Sequence, residues 1–201
     1  SMLSGVEARK ALGVAPEALL LGTVGRLVVK KNHALLLRGF ATADLPEKSK
    51  LLLIGSGPEE SNLKTLTAAL GIEDRVIFSG HVQDAFRYLR AFDVFVFPSG
   101  DAEAFGIVLL EAMLAEVPII SSNAQGPAEV IEDTGWFFEL SKVEDLAKTL
   151  SRVTSLPEVD RKARTTAALI RLESKYSTTR FKKNLWNIKQ MAEIKLLQQV
   201  P

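Results

Sequence analysis

Six short apolar runs recur along the chain, at 19–24, 51–55, 76–78, 94–97, 119–121 and 136–138, each set off by Gly, Pro or Ser. Their hydrophobicity is continuous rather than alternating, the pattern of a strand covered on both faces. The segments between them carry helical spacing instead. Leu35, Leu36 and Phe40 share one stripe, Leu63, Leu66 and Leu70 share another that Gly71 terminates, and Leu146, Thr149 and Leu150 repeat the theme. Alternation of strand and helix at this period predicts βαβ units and an α/β fold, a doubly wound, Rossmann-like parallel sheet. Such sheets take their ligands beyond the carboxyl ends of the strands. After Pro157 the strand signals cease, and 161–172 and 178–197 read as two helices rich in Lys and Arg. The chain is therefore expected to be one domain over 1–201, with a core at about 18–156 and C-terminal helices over 157–201.

Composition narrows the partners. Of 201 residues 47% are apolar, and 25 Lys and Arg face 24 Asp and Glu. A net charge of +1 gives no field that would by itself bind nucleic acid or hold a membrane. Membrane contact is expected to be peripheral at most. Without cysteine there are no disulfides or thiolate metal sites, and His33 and His81 are the only imidazoles, so no metal site is expected. No segment has the basic start and apolar run of a signal peptide or the ~20 apolar residues of a membrane span. A cytoplasmic protein is the expectation.

The densest chemical signal is the stretch 97–113, Phe-Pro-Ser-Gly-Asp-Ala-Glu-Ala-Phe-Gly-Ile-Val-Leu-Leu-Glu-Ala-Met. It leaves a strand, crosses a loop of small residues and enters an apolar helix. Within that helix Glu111 has Ile107, Val108, Leu114 and Ala115 as its helical neighbours, so its carboxylate needs a partner. Either a basic residue at the core edge or a ligand supplies one. Glu103 stands eight residues earlier, in the loop or the first helical turn; an all-helical path would separate the two Cα atoms by roughly 12 Å. That is too far for a shared proton but suits two hydroxyl-binding points on an extended ligand. Between them the free backbone N–H groups of Phe105, Gly106 and Ile107 are placed to face an anion at a helix N-terminus, and Gly106 permits close approach. Taken alone, Glu103 reads better as a first-turn acid that complements the helix dipole.

A second signal follows the first strand: Gly-Arg-Leu-Val-Val-Lys-Lys-Asn-His at 25–33. A planar Arg26 and a mobile Lys31 make a clamp for a diphosphate and would neutralise a leaving group without a metal, although three cations in nine residues also fit a solvated turn. A third, Ser-Gly-His-Val-Gln-Asp at 79–84, puts a tight turn at Gly80 where backbone near His81 and Val82 could meet a planar base. Gly55-Ser56-Gly57 follows a strand, but Glu60 breaks the dinucleotide fingerprint. Neither a phosphate-binding P-loop nor a serine-hydrolase elbow is present.

Taken in order, Gly-Arg-Leu-Val followed by Lys31, Ile-Gly-Ser-Gly-Pro at 54–58, Phe-Ser-Gly-His-Val at 78–82 and Glu-Ala-Phe-Gly-Ile-Val-Leu-Leu-Glu at 103–111 resemble a known family. They look like the C-terminal, nucleotide-sugar-binding domain of the retaining GT-B glycosyltransferases of the group-one, or family-four, type. The resemblance covers about 18–150, and Tyr176-Ser177 leading into Arg180-Phe181 is similar to the family's closing helix. It implies that Arg26 and Lys31 bind the donor diphosphate, Glu111 the ribose hydroxyls and Glu103 the transferred sugar. Phe105, Gly106 and Ile107 would add backbone donors, and backbone at His81 and Val82 would meet the base. It also implies a nucleoside-diphosphate sugar donor such as a UDP-sugar or GDP-sugar, no cofactor, no obligatory metal, and a preceding acceptor-binding domain outside this chain, without which the chain is inactive. Two departures stand out: the loop after Pro98-Ser99 is one residue longer than the commonest family spacing, and Asn32 follows Lys31 where Gly is frequent. The competing readings are a non-catalytic nucleotide-binding module and another GT-B enzyme such as a nucleotide-sugar epimerase.

Overall fold

The computed structural model describes residues 1–100, 103 and 105–176. The expected helix at 178–197, with Leu185, Trp186 and Ile188, lies outside the described residues. Six strands form one sheet: β1 (Leu20–Val24), β2 (Lys50–Ile54), β3 (Val76–Gly80), β4 (Val94–Phe97), β5 (Ile119–Ser122) and β6 (Trp136–Phe138). All neighbouring pairs are parallel, in the order β3-β2-β1-β4-β5-β6, so the doubly wound sheet is as the apolar runs predict. Strand β1 pairs with β2 from Leu20 opposite Lys50 to Val24 opposite Ile54, but meets β4 only through Leu21 with Val94 and Gly22 with Phe95.

Successive strand residues point to opposite faces, and each face closes its own core. Leu20, Leu52, Phe95 and Phe97 pack with Leu109 and Met113 of helix α4 (Ile107–Leu114). On the other face Leu21, Leu51, Leu53, Val94 and Val96 meet Leu36 and Phe40 of α2 (His33–Thr42) and Leu146 and Leu150 of α6 (Val143–Ser155), while α3 (Glu60–Ala69) adds Leu63. Burial on both sides is why the strands read as unbroken apolar runs.

Two helices escape the hydrophobic periodicity. Helix α1 (Gly5–Ala11) is opened by a capping box in which the Ser4 hydroxyl accepts from the Glu7 amide and the Glu7 carboxylate accepts from the Ser4 amide at 2.9 Å. It is pinned by Arg9, whose guanidinium donates to the carbonyls of Ala91 (2.9 Å), Pro16 (2.8 Å) and Ala18 (2.9 Å) and pairs with Asp93 at 2.6 Å. Asp93 also accepts from the Leu20 amide at 2.7 Å, so this cluster ties the amino ends of β1 and β4 together. Helix α5 (Gln125–Ile131) follows β5 directly.

Helix α7 (Glu158–Tyr176) extends past the expected 161–172 at both ends. It packs on α4 and is anchored by the buried Arg171, which donates to the carbonyls of Val130 and Glu129, each at 2.7 Å, and pairs with Glu132 at 2.6 Å. Among the described residues no helix is long and apolar enough to cross a membrane.

Candidate functional site

The strand order reverses between β1 and β4, since β2 and β3 continue on one side and β5 and β6 on the other. Loops leaving the carboxyl ends of β1 and β4 therefore diverge and leave a crevice, the position at which doubly wound sheets bind ligands. Arg26 and Lys31 follow β1 into this crevice; Glu103 and the start of α4 follow β4.

The structure brings Lys31 and Glu103, 72 residues apart, into direct contact: the ammonium donates to the carboxylate in a close ion pair, with the two side chains only 20% and 19% exposed. The Lys31 ammonium also lies 5.3 Å from the centroid of the Phe97 ring. The sequence reading gave these residues separate ligand contacts; here each is the other's partner. The two loops are held in register by the Gly100 amide, which donates to the Lys30 carbonyl at 3.2 Å, and by the Glu103 amide, which donates to the Gly100 carbonyl at 3.0 Å. Lys31 ends a single 3₁₀ turn, Val29–Lys31, and Asn32 then takes a left-handed conformation (φ 50°) before α2 begins. Asparagine tolerates that conformation best after glycine, which explains how Asn32 stands where Gly is frequent. His33, buried and 3% exposed, has an Nδ1 without a hydrogen-bond partner among the described residues; burial, helped by the charge of Lys31, lowers its pKa to about 4.

Arg26, His81 and Val82 line one pocket of about 200 Å³ at the carboxyl ends of β1, β2 and β3, so the diphosphate and base candidates do share a wall. Backbone hydrogen bonds lace these loops together: Gly25 N–H to Ile54 C=O at 2.9 Å, Leu27 N–H to Ser56 C=O at 3.0 Å, and Gly55 N–H to Gly80 C=O at 2.8 Å. Gly55 has φ 145°, and a Cβ there would fall 1.9 Å from the Gly25 carbonyl oxygen; one at Gly57 would fall 2.3 Å from that of Leu27. The Gly-x-Gly at 55–57 therefore serves loop-to-loop contact, which explains why it occurs without the rest of the dinucleotide fingerprint.

Helix α4 starts at Ile107 with Gly106 as its N-cap at φ 78°, and no side chain among the described residues caps it. Its first amides are thus free to meet an anion. A Cβ at Gly106 would strike the Phe97 ring at 2.9 Å. Because only 107–114 is helical, the 12 Å all-helical spacing between Glu103 and Glu111 does not apply. Glu111 is half-buried, and that burial raises its pKa. Among the described residues it has no ion-pair or hydrogen-bond partner, so the alternative of a basic partner at the core edge is not seen there. Ile107 and Leu114 beside it are 69% and 50% exposed, which puts this apolar stripe at the surface.

Two contributors were missed by the sequence reading. Tyr176, at the end of α7, meets the Phe105 ring edge-on with centroids 5.7 Å apart and planes at 76°, bracing the residue that precedes Gly106. Ser99, two residues after β4, is buried with a hydroxyl lacking a partner among the described residues, while its carbonyl accepts from the Ser122 hydroxyl at 2.6 Å. A Pro-Ser step closing the fully apolar 94–97 was the available signal. Asp101, Ala102 and Ala104 of the lengthened loop lie outside the described residues. Among those described, no three His, Asp or Glu side chains converge as a metal site.

Comparison with known proteins assigns the family. The family model described as glycosyl transferases group 1 matches residues 6–169. The lipopolysaccharide core biosynthesis glycosyltransferase LpsD of Rhizobium meliloti is 38% identical over 124 residues, covering 62% of this chain and 35% of that protein. The crystal structure of Anabaena HepE in complex with UDP superposes with a TM-score of 0.84 at 23% identity, over 93% of this chain and 52% of that one. The C-terminal domain of the group 1 family protein LpcC from Francisella tularensis superposes with a TM-score of 0.74 at 22% identity, over 86% of this chain and 92% of that domain. The chain thus spans about a third of LpsD and half of HepE.

Proposed function

The chain belongs to the glycosyl transferases of group 1, and from that premise we propose that it supplies the donor-binding half of an enzyme that transfers a sugar from a nucleoside diphosphate with retention of configuration. One observation carries the reading: at the β1–β4 crevice a cation, a carboxylate and an uncapped helix N-terminus converge, which is the set of groups a sugar diphosphate presents complements to. Arg26 and Lys31 take the diphosphate, Glu103 the hydroxyls of the sugar, and the amides of 105–107 an adjacent anionic oxygen. Glu111, half-buried and without a protein partner among the described residues, accepts from the ribose hydroxyls, and backbone at His81 and Val82 borders the base. As the bond between sugar and diphosphate breaks, charge grows on the departing phosphate oxygen, and the fixed cations stabilise it in the transition state. In this reading they supply the compensating charge, and the donor, a UDP-sugar or GDP-sugar, binds without a metal or cofactor.

The coverage of LpsD and HepE, together with the match to an isolated C-terminal domain, supports a second, acceptor-binding domain preceding this one in the complete enzyme. Val29, 74% exposed beside Lys31, and the exposed Ile107 fit a surface facing that domain across the cleft. The chain alone then binds donor without turning it over, and the complete enzyme works in the cytoplasm with at most peripheral membrane contact.

The test is calorimetric titration of the chain with UDP, GDP and ADP in the presence of chelator. Saturable binding of one nucleotide, weakened at least tenfold by Arg26→Ala and by Glu111→Ala, is the expected outcome. Binding that needs a divalent metal, or that ignores both substitutions, contradicts it.

A further inference from the structure

We propose that the Lys31–Glu103 ion pair is a built-in competitor of the spent nucleotide, so that the site selects an intact nucleoside-diphosphate sugar over the nucleoside diphosphate left after transfer. This inference rests on the donor-site reading. The pair joins the two loops on either side of the crevice, and both side chains are about four-fifths buried. Neither has another hydrogen bond or ion pair among the described residues, apart from the Phe97 ring beneath the ammonium. Each therefore satisfies the other, and any ligand that takes one must answer for both.

A nucleoside diphosphate presents only anionic oxygens at its terminal phosphate. Drawing Lys31 onto them removes the counter-charge from Glu103 and leaves a partly buried carboxylate beside a second anion, an unfavourable arrangement on both desolvation and Coulomb grounds. A donor that still carries its sugar offers two complements at once. Its phosphate oxygens accept from the three N–H donors of Lys31, and its sugar hydroxyls donate to Glu103 in charge-assisted hydrogen bonds. Once the sugar has left, Glu103 loses those donors and competes again for Lys31, which weakens the hold on the product. Glu103 in this role is a discriminator between donor and product.

The sign of the prediction is opposite to that of an ordinary binding residue. In calorimetric titrations of the chain with UDP, GDP and ADP and with their glucose conjugates, Glu103→Gln binds the nucleoside diphosphate at least tenfold more tightly than the parent. Its preference for the conjugate over the free diphosphate falls at least tenfold. Glu103→Ala shifts the preference in the same direction, which guards against a local effect of the amide, and Glu116→Gln, a carboxylate outside the site, changes neither. If the parent chain binds a nucleoside diphosphate and Glu103→Gln binds it no more tightly, the competitor role is overturned while the donor site stands. If only the glutamine variant binds, both are upheld. If neither chain binds any of these nucleotides or conjugates, the donor-site reading fails and this inference with it.

Discussion

Two ion pairs bridge distant parts of this chain at opposite ends of the same sheet, and they differ in what they leave unmet. At the amino end Arg9 pairs with Asp93, but Arg9 also donates to three carbonyls and Asp93 also accepts from the Leu20 amide. At the carboxyl end, among the described residues, Lys31 and Glu103 have only each other and the Phe97 ring beneath the ammonium. Equal formal charge thus serves different ends. A planar guanidinium with its donors committed acts as a structural knot, whereas an ammonium on a flexible stem keeps donors for a visitor. A saturated pair resists a ligand; an unsaturated one is a place for it.

Breaking the saturated pair should cost the most. Arg9→Ala leaves three carbonyls and a carboxylate unpaired and is expected to destabilise the fold by about 4 kcal/mol, read as a lower urea midpoint, with nucleotide affinity per folded molecule unchanged. A smaller loss than 1 kcal/mol would remove the contrast between the two ends.

Next in size is the effect of acid on His33, which is buried immediately beyond the unsaturated pair. Its pKa is lowered to about 4 in the folded chain, first by burial and then by Lys31, and in the unfolded chain it returns to the ordinary 6.5. Between those values the unfolded chain binds the extra proton, so stability is full above about pH 6.5 and declines as pH falls toward 4, by about 3 kcal/mol at most. Urea midpoints measured across that window should fall less steeply in His33→Gln than in the parent, and parallel slopes would assign the acid response to other groups.

Lys31→Ala leaves the largely buried Glu103 carboxylate without its counter-charge and is expected to cost about 2 kcal/mol, less than Arg9→Ala, while abolishing measurable nucleotide binding. A stability loss as large as that of Arg9→Ala would make the two pairs equivalent. The smallest effect belongs to Glu111→Gln. Because burial disfavours the charged carboxyl, the neutral isostere should raise the urea midpoint slightly while weakening nucleotide binding. Loss of both properties together would return Glu111 to a structural part.

How much of this was legible in the sequence follows from the range of the forces involved. The six strands were readable because burial on both faces writes an uninterrupted apolar run, and their limits moved by no more than two residues. Helices α1 and α5 were missed because seven residues carry too little periodicity. For α1 the Ser4-x-x-Glu7 capping box was the available sign, and for α5 the Gly126-Pro127 pair inside the helix reads as a breaker. Candidate site residues were readable as residue types just past strand ends. The pairing of Lys31 with Glu103 was not, since it depends on which strands become neighbours across the sheet, and neither loop's sequence mentions the other. The edge contact of Tyr176 on Phe105 was hidden for the same reason.

The slender junction of β1 and β4, two residues deep against five for β1 and β2, has an architectural consequence. Within the single six-strand sheet, β3-β2-β1 and β4-β5-β6 meet along this short seam, and the crevice opens where the seam stops. Widening or narrowing that opening requires no change to the cores on the two faces of the sheet, only to the loops that follow Val24 and Phe97. Variants that read different ligands can therefore accumulate along the lips of the seam while the two cores, each built from strands on both sides of it, keep their packing.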